Sequence, residues 1–351
     1  AYTPILPFEV LSEQLHIPVD QILKLDANEN PYGVLPQVRA ALASLAYAHI
    51  YPDPESRALR RAIGAHYGLP VDNILAGAGA DELIDLILRV LLDPGDSILN
   101  CPPTFGMYAF DAQLQDAGVI SVPRKTGFAL DEEAIRAAVE RYRPKVMFLA
   151  NPNNPDGRLA SPALLERLLE LDVILVVDEA YIDFAPAGAS QLTAIAAGKK
   201  IPDNLVVLRT FSKWAGLAGL RVGFGVFPDW LLPHLWTAKQ PYNVSVAAAA
   251  AAITSLAHAG ELEANAQKIK AERGYLALAL AEIPWLAPYP SQANFILCRV
   301  LGREASEVKA GLAQKGILIR YFNKPGLEDH LRISVGLAED TRRVVAALRA
   351  L

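Results

Sequence analysis

The chain has 351 residues, of which 52% are hydrophobic and 20% charged, and its formal net charge is −5. That much apolar surface excludes an intrinsically disordered chain, and the acidic balance argues against the basic footprint of a general nucleic-acid binder. At roughly 100–200 residues per domain, the length predicts about two domains.

In chain order, residues 1–24 read as an arm with a short helix, without the basic start and apolar stretch of a signal peptide. Pro31, Pro36, Pro52 and Pro54 punctuate the next stretch, with helices over 36–46 and 54–67. An alternation follows. Strands over 73–76, 97–101, 119–122, 146–150, 173–177 and 205–209 are interleaved with helices over 81–92, 105–117, 132–140 and 162–170. Continuous apolar strands alternating with helices predict an α/β fold with a mostly parallel central sheet covered on both faces. From about 245 to 283 the chain is alanine-rich and helical. Strand-like segments at 294–299, 317–320 and 331–335 then predict a smaller α+β domain. The expected division is a large domain over 25–244 and a small one built from 1–24 and 245–351.

No apolar run approaches the ~20 residues that span a bilayer, so the expectation is a soluble, cytoplasmic protein with neither membrane nor nucleic-acid partner. Cys101 and Cys298 form no CxxC, and the six histidines have no metal-ligand spacing, so neither a disulfide framework nor a metal site is expected. Cys101 reads as a small apolar filler, and Tyr47, Tyr108, Phe110 and Trp214 as packing residues.

In open α/β sheets, ligands gather beyond the carboxyl ends of the strands. Gly77-Ala78-Gly79-Ala80-Asp81-Glu82 follows the first of them and opens a helix. It reads either as a tight turn or as a place where backbone amides meet an anion. Asn151–Gly157 (NPNNPDG) is by itself an asparagine-rich turn. Asp178-Glu179-Ala180-Tyr181 follows the strand VILVV, where a carboxylate is costly unless it meets a cation or caps the next segment. Thr210-Phe211-Ser212-Lys213-Trp214 follows the 205–209 strand, and Arg221 comes eight residues after the lysine.

The combination carries the chemistry. A lysine can bond an aldehyde cofactor, and pyridoxal 5′-phosphate (PLP) also needs a carboxylate at its pyridine nitrogen. Its phosphate needs amides, hydroxyls and an arginine, and its phenolic oxygen needs donors. Asn154, Asp178, Tyr181, Ser212, Lys213 and Arg221 supply these groups in one chain.

The segments NPNNPDG, DEAYIDF and RTFSKWAGLAGLRVGF resemble the fold-type-I, PLP-dependent aminotransferases, which share an aspartate-aminotransferase-like fold. LDANENPYG (25–33), IYPDP (50–54), GADELI (79–84), CPPTFGMY (101–108), ANFIL (293–297) and LRISVG (331–336) make the chain most similar to the histidinol-phosphate aminotransferase family. The resemblance spans almost the whole chain. It implies that Lys213 bonds the cofactor and shuttles the substrate's proton, and that Asp178 pairs with the pyridine nitrogen. It further implies that Asn154 and Tyr181 hold the phenolic oxygen, and that Phe105 stacks on the ring. The amides of Ala80 and Asp81, with Thr210, Ser212 and Arg221, would hold the phosphate. Tyr51 would reach that phosphate from the other subunit of a homodimer. Arg332 and Arg320 would bind the substrate's anionic group, beside Asn154 and Phe8. The implied reaction moves an amino group from L-histidinol phosphate to 2-oxoglutarate, giving glutamate.

Phe105 and Phe8 depart from the family, which often has tyrosine at both places. They keep open an aminotransferase for aromatic or other amino acids. A PLP-dependent decarboxylase of a phosphorylated amino acid is a second alternative. A non-catalytic PLP sensor fits poorly, because Lys213, Asp178 and Arg221 are all present and no DNA-binding module adjoins them.

Overall fold

A computed structural model describes residues 6–351; the first five residues of the expected arm lie outside the described residues. Among the described residues, twelve strands form two sheets. In chain order they are β1 (Leu23–Leu25), β2 (Ile74–Gly77), β3 (Ser97–Asn100), β4 (Gly118–Ser121), β5 (Val146–Ala150), β6 (Ile174–Asp178), β7 (Leu205–Thr210), β8 (Gly223–Val226), β9 (Leu286–Pro288), β10 (Phe295–Val300), β11 (Ile317–Tyr321) and β12 (His330–Ser334).

The larger sheet runs β2-β8-β7-β6-β5-β3-β4. β8 is antiparallel to both its neighbours, and the other pairs are parallel. Successive residues on each strand enter opposite cores. Ile74, Met147, Leu175 and Val207 pack on one face. Leu75, Phe148, Val176 and Val206 pack on the other, under the helices Ala80–Leu91, Met107–Leu114 and Leu232–Ala238. Both faces are thus apolar, which is why these strands read as continuous hydrophobic runs rather than alternating ones.

The smaller sheet runs β1-β11-β12-β10-β9, antiparallel except for the β1–β11 pair. The fold is therefore α/β, with a large, mostly parallel sheet and a smaller α+β unit. The expected strands include neither β1, which straddles the end of the expected arm, nor β9, nor β8. The last is Gly-Phe-Gly-Val, and glycine hides the strand pattern. Both glycines are required by close approach. A Cβ on Gly225 would sit 2.5 Å from the Phe227 ring, and one on Gly223 would sit 2.7 Å from the Arg209 carbonyl oxygen. The 245–283 tract is two helices, Val246–Ala257 and Ala259–Ala281.

One charged cluster lies inside the larger unit. Arg209 on β7 meets Asp183 at 2.5 Å and Glu179 at 3.4 Å, and its guanidinium lies 5.1 Å from the Tyr67 ring centre. Glu179 also accepts from Ser190 Oγ and the Gln191 amide, both at 2.6 Å. Burial pushes both carboxyl groups up, and Arg209 opposes that shift. Removing one partner of such a cluster strands the others in a low dielectric. Arg209→Met is expected to lower unfolding free energy by roughly 3–5 kcal/mol in urea denaturation; an unchanged midpoint would contradict this account of the cluster.

Candidate active site

The ends of three strands converge on one point. Gly77 at the end of β2 and Thr210 at the end of β7 both pair with Gly223 at the start of β8. The helix Ala80–Leu91 starts directly above, with Gly79 before it at φ +85° and no side-chain cap. Its first amides point out of the helix, positive end outward. A Cβ on Gly223 would sit 2.9 Å from the Ala80 nitrogen, so only glycine lets the strand start beneath the helix end. Thr210 Oγ1 donates to Ser212 Oγ at 2.9 Å. Arg221, in a left-handed conformation at φ 54°, donates to Asp81 Oδ2 at 2.7 Å. Amides, two hydroxyls and a guanidinium thus surround a place sized by glycine, which is the donor set a phosphate takes.

Asp178 ends β6 and is only 5% exposed. Its Oδ2 accepts from Tyr108 at 2.7 Å and its Oδ1 from the Ala180 amide at 3.0 Å. Burial pushes its carboxyl up to about 6, and the Tyr108 bond only partly opposes this. A buried carboxylate held in a fixed orientation by neutral donors suits a cation brought by a ligand. Tyr108, expected as packing, does pack face to face on Phe148 at 4.8 Å. It also sets the orientation of Asp178, a role its place on a buried helix did not reveal. Phe105 meets Tyr108 edge-on at 5.5 Å.

Lys213 follows β7. Its Nζ donates to the Ala27 carbonyl at 3.0 Å. Burial first, and the positive charge of Arg332 second, push its pKa down to about 8. About one-tenth of the amine is therefore neutral at pH 7. Asn30 Nδ2 donates to the carbonyls of Lys213 (3.1 Å) and Trp214 (2.8 Å), fixing the loop that carries the lysine.

The same N-terminal stretch reaches the other residues of the cleft. Asn28 is buried with φ 54°. Its Nδ2 donates to Tyr181 Oη at 3.1 Å, its amide to Ser334 Oγ at 2.9 Å, and its carbonyl accepts from Asn294 at 2.9 Å. Arg332 on β12 donates to Asn154 Oδ1 and to the Asp26 carbonyl, both at 2.6 Å. Asn154 is thus on the Arg332 side of the cleft. Asn153 instead ties the turn to Pro103 (3.0 Å) and Thr104 (2.7 Å). Arg320 on β11 lies directly opposite Arg332 in register. Both guanidinium groups approach the Phe322 ring, at 5.9 and 5.7 Å.

Two expected residues stand apart from this cluster. Tyr51 is 79% exposed and stacks on Tyr242 at 4.8 Å. Phe8 is half exposed, beneath the Lys24 ammonium at 6.0 Å. The sequence assigns no role to Asn28, Asn30 or Ser334. The only signal for the first two was the run ANEN, unusually polar before a proline.

Comparison with known proteins agrees with this geometry. A family described as aminotransferase class I and II matches residues 20–348. A relative from Roseiflexus castenholzii, named histidinol-phosphate aminotransferase, is 50% identical over 99% of this chain and 94% of its own length. A chloroplastic histidinol-phosphate aminotransferase from Nicotiana plumbaginifolia is also 50% identical, over 99% of this chain and 83% of its own. The crystal structure of histidinol-phosphate aminotransferase from Sinorhizobium meliloti, in complex with pyridoxal-5′-phosphate, superposes with a TM-score of 0.89. It is 29% identical and covers 99% of this chain and 95% of that one. The chain belongs to the class I and II aminotransferases.

Proposed function

We propose that this chain is a PLP-dependent transaminase of L-histidinol phosphate, passing the amino group to 2-oxoglutarate and yielding imidazole acetol phosphate and glutamate. The observation that carries the substrate is Arg320 directly opposite Arg332. Like charges placed opposite one another across a sheet repel, and an anion bound between them relieves that repulsion. Arginine forks accept either a phosphate ester or a carboxylate, so one pair serves donor and acceptor in turn. Two relatives at 50% identity over 99% of this chain carry the same activity in their names, which supports the choice of amine.

The cofactor fits the residues present. Asp178 would pair with the ring nitrogen, the cradle at Ala80, Asp81, Thr210, Ser212 and Arg221 would hold the phosphate, and Lys213 would bond the aldehyde carbon. Phe105 would cover one face of the ring, and Tyr181 and Asn154 would address the phenolic oxygen. The group supplies an aldehyde that takes up an amine and a protonated ring that accepts electrons. The protein does the rest. Arg332 and Arg320 hold the substrate's anionic end so that its amine-bearing carbon faces Lys213. Lys213 Nζ, partly neutral with a pKa near 8, moves the proton from that carbon as a general base. Asp178, held by Tyr108, would keep a bound ring nitrogen protonated.

The same reading makes residues 25–244 the unit that holds the cofactor, and 1–24 with 245–351 the unit that brings Arg320 and Arg332. It also makes the protein a cytoplasmic homodimer. The exposed apolar group Tyr47, Ile50, Tyr51 and Tyr242 is the surface through which Tyr51 would reach a second copy's phosphate cradle. Among the described residues, no helix is long and apolar enough to cross a membrane.

The test is amino-group transfer to 2-oxoglutarate by the PLP-loaded protein. Histidinol phosphate is expected to be used at micromolar concentration, with phenylalanine, tyrosine and histidine at least 100-fold poorer in kcat/KM (about 2.7 kcal/mol). Preference for an aromatic amino acid, or release of CO₂ without glutamate, would overturn the assignment. Arg332→Lys is expected to raise KM for both substrates by about tenfold or more, because a lysine cannot form the fork; unchanged KM values for both would refute its double duty.

A further inference from the structure

β11 and β12 are joined by residues 322–329, an exposed loop whose turn contains Lys324-Pro325-Gly326, with Gly326 at φ +79°. The loop begins at Phe322, the ring on which Arg320 and Arg332 lie. It does not turn away from the cleft. Lys324 Nζ lies 3.3 Å from the position a Cβ on Gly106 would occupy. Gly106 is the next residue after Phe105 and precedes the helix carrying Tyr108, whose hydroxyl holds Asp178. The lysine therefore spans the mouth of the cleft, from the strand pair that carries the arginines to the segment that covers the cofactor ring. A side chain at position 106 would crowd it.

We propose that Lys324 is a specificity-determining residue: a third cation that meets the outer oxygens of the substrate's phosphate ester, beyond the Arg320–Arg332 pair. This rests on the reading of the site given above. Its consequence is selective. A phosphate monoester carries about −1.5 to −2 charges near neutral pH and three acceptor oxygens, whereas the distal carboxylate of 2-oxoglutarate carries one charge and two oxygens. Two arginines can satisfy the carboxylate. The phosphate presents a further charged oxygen, and Lys324 is the cation placed to meet it. Lysine suits this position, being a point charge on a flexible stem with no fixed fork.

The experiment compares Lys324→Met and Lys324→Arg with the unaltered PLP-loaded enzyme. Lys324→Met is expected to raise the KM for histidinol phosphate about tenfold. It should leave kcat and the KM for 2-oxoglutarate within about twofold, and Lys324→Arg should recover most of the loss. A second readout needs no turnover. In a PLP-loaded Lys213→Ala background, calorimetry should show Lys324→Met weakening histidinol phosphate by about the same factor while leaving histidinol unchanged. An equal effect on both substrates, or none on histidinol phosphate, overturns the inference while leaving the proposed activity standing. An unaltered enzyme that fails to use histidinol phosphate overturns the activity and the inference together.

Discussion

A carboxylate buried at the end of a strand is the constraint around which this site is arranged. Asp178 lies at the foot of the cleft, where burial pushes its carboxyl up to about 6 despite two opposing hydrogen bonds. Its two hydrogen bonds come from neutral donors, Tyr108 and a backbone amide. They orient the group without supplying the charge it needs. A bound pyridinium would supply that charge, so the energetic cost of burying Asp178 would become affinity for the cofactor's protonated form. The same preference is what the chemistry requires of the ring.

The second constraint is the chain segment 26–30, which lies between the two sheets. The Asp26 carbonyl takes Arg332 from the smaller sheet, and the Ala27 carbonyl takes Lys213 from the larger. Asn28 bonds Tyr181 on one side and Ser334 on the other. Asn30 fixes the main chain of Lys213 and Trp214. One stretch thus sets the distance between Lys213, the proposed proton carrier, and Arg332, the proposed substrate anchor. A short error in such placement is costly in rate, which accounts for four hydrogen-bonding positions within five residues where a simple linker would connect the two units. Gly216, at φ +70°, lets the lysine's loop approach this stretch: a Cβ there would lie 2.4 Å from the Gly33 carbonyl oxygen.

The large parallel sheet was legible because each buried strand is a short apolar run followed by a helix. Strand ends then pointed to Asp178, Lys213 and the amides and hydroxyls around Gly223, since in such sheets ligand-binding residues follow the strands. β8 was not legible, because close packing against Phe227, Leu208 and the Ala80 amide demands glycine where a strand pattern would show side chains. β1 was hidden by its length of three residues and by a partner, β11, almost 300 positions away. Tyr108 looked like core because it is core; only the position of Asp178 relative to its hydroxyl reveals the second role. Asn28 and Asn30 serve through long-range bonds, and nothing local in ANEN specifies them. The opposition of Arg320 and Arg332 is a matter of register between two strands, which periodicity does not fix.

The protonation state of the cofactor's ring nitrogen tests the role of Asp178 most directly. The chain loaded with ¹⁵N-labelled pyridoxal 5′-phosphate can be followed by nitrogen NMR at neutral pH. The expected result is a protonated pyridinium in the unaltered protein and a neutral pyridine in Asp178→Asn. A neutral nitrogen in the unaltered protein, or a protonated one in both, would contradict the role assigned to the buried carboxylate.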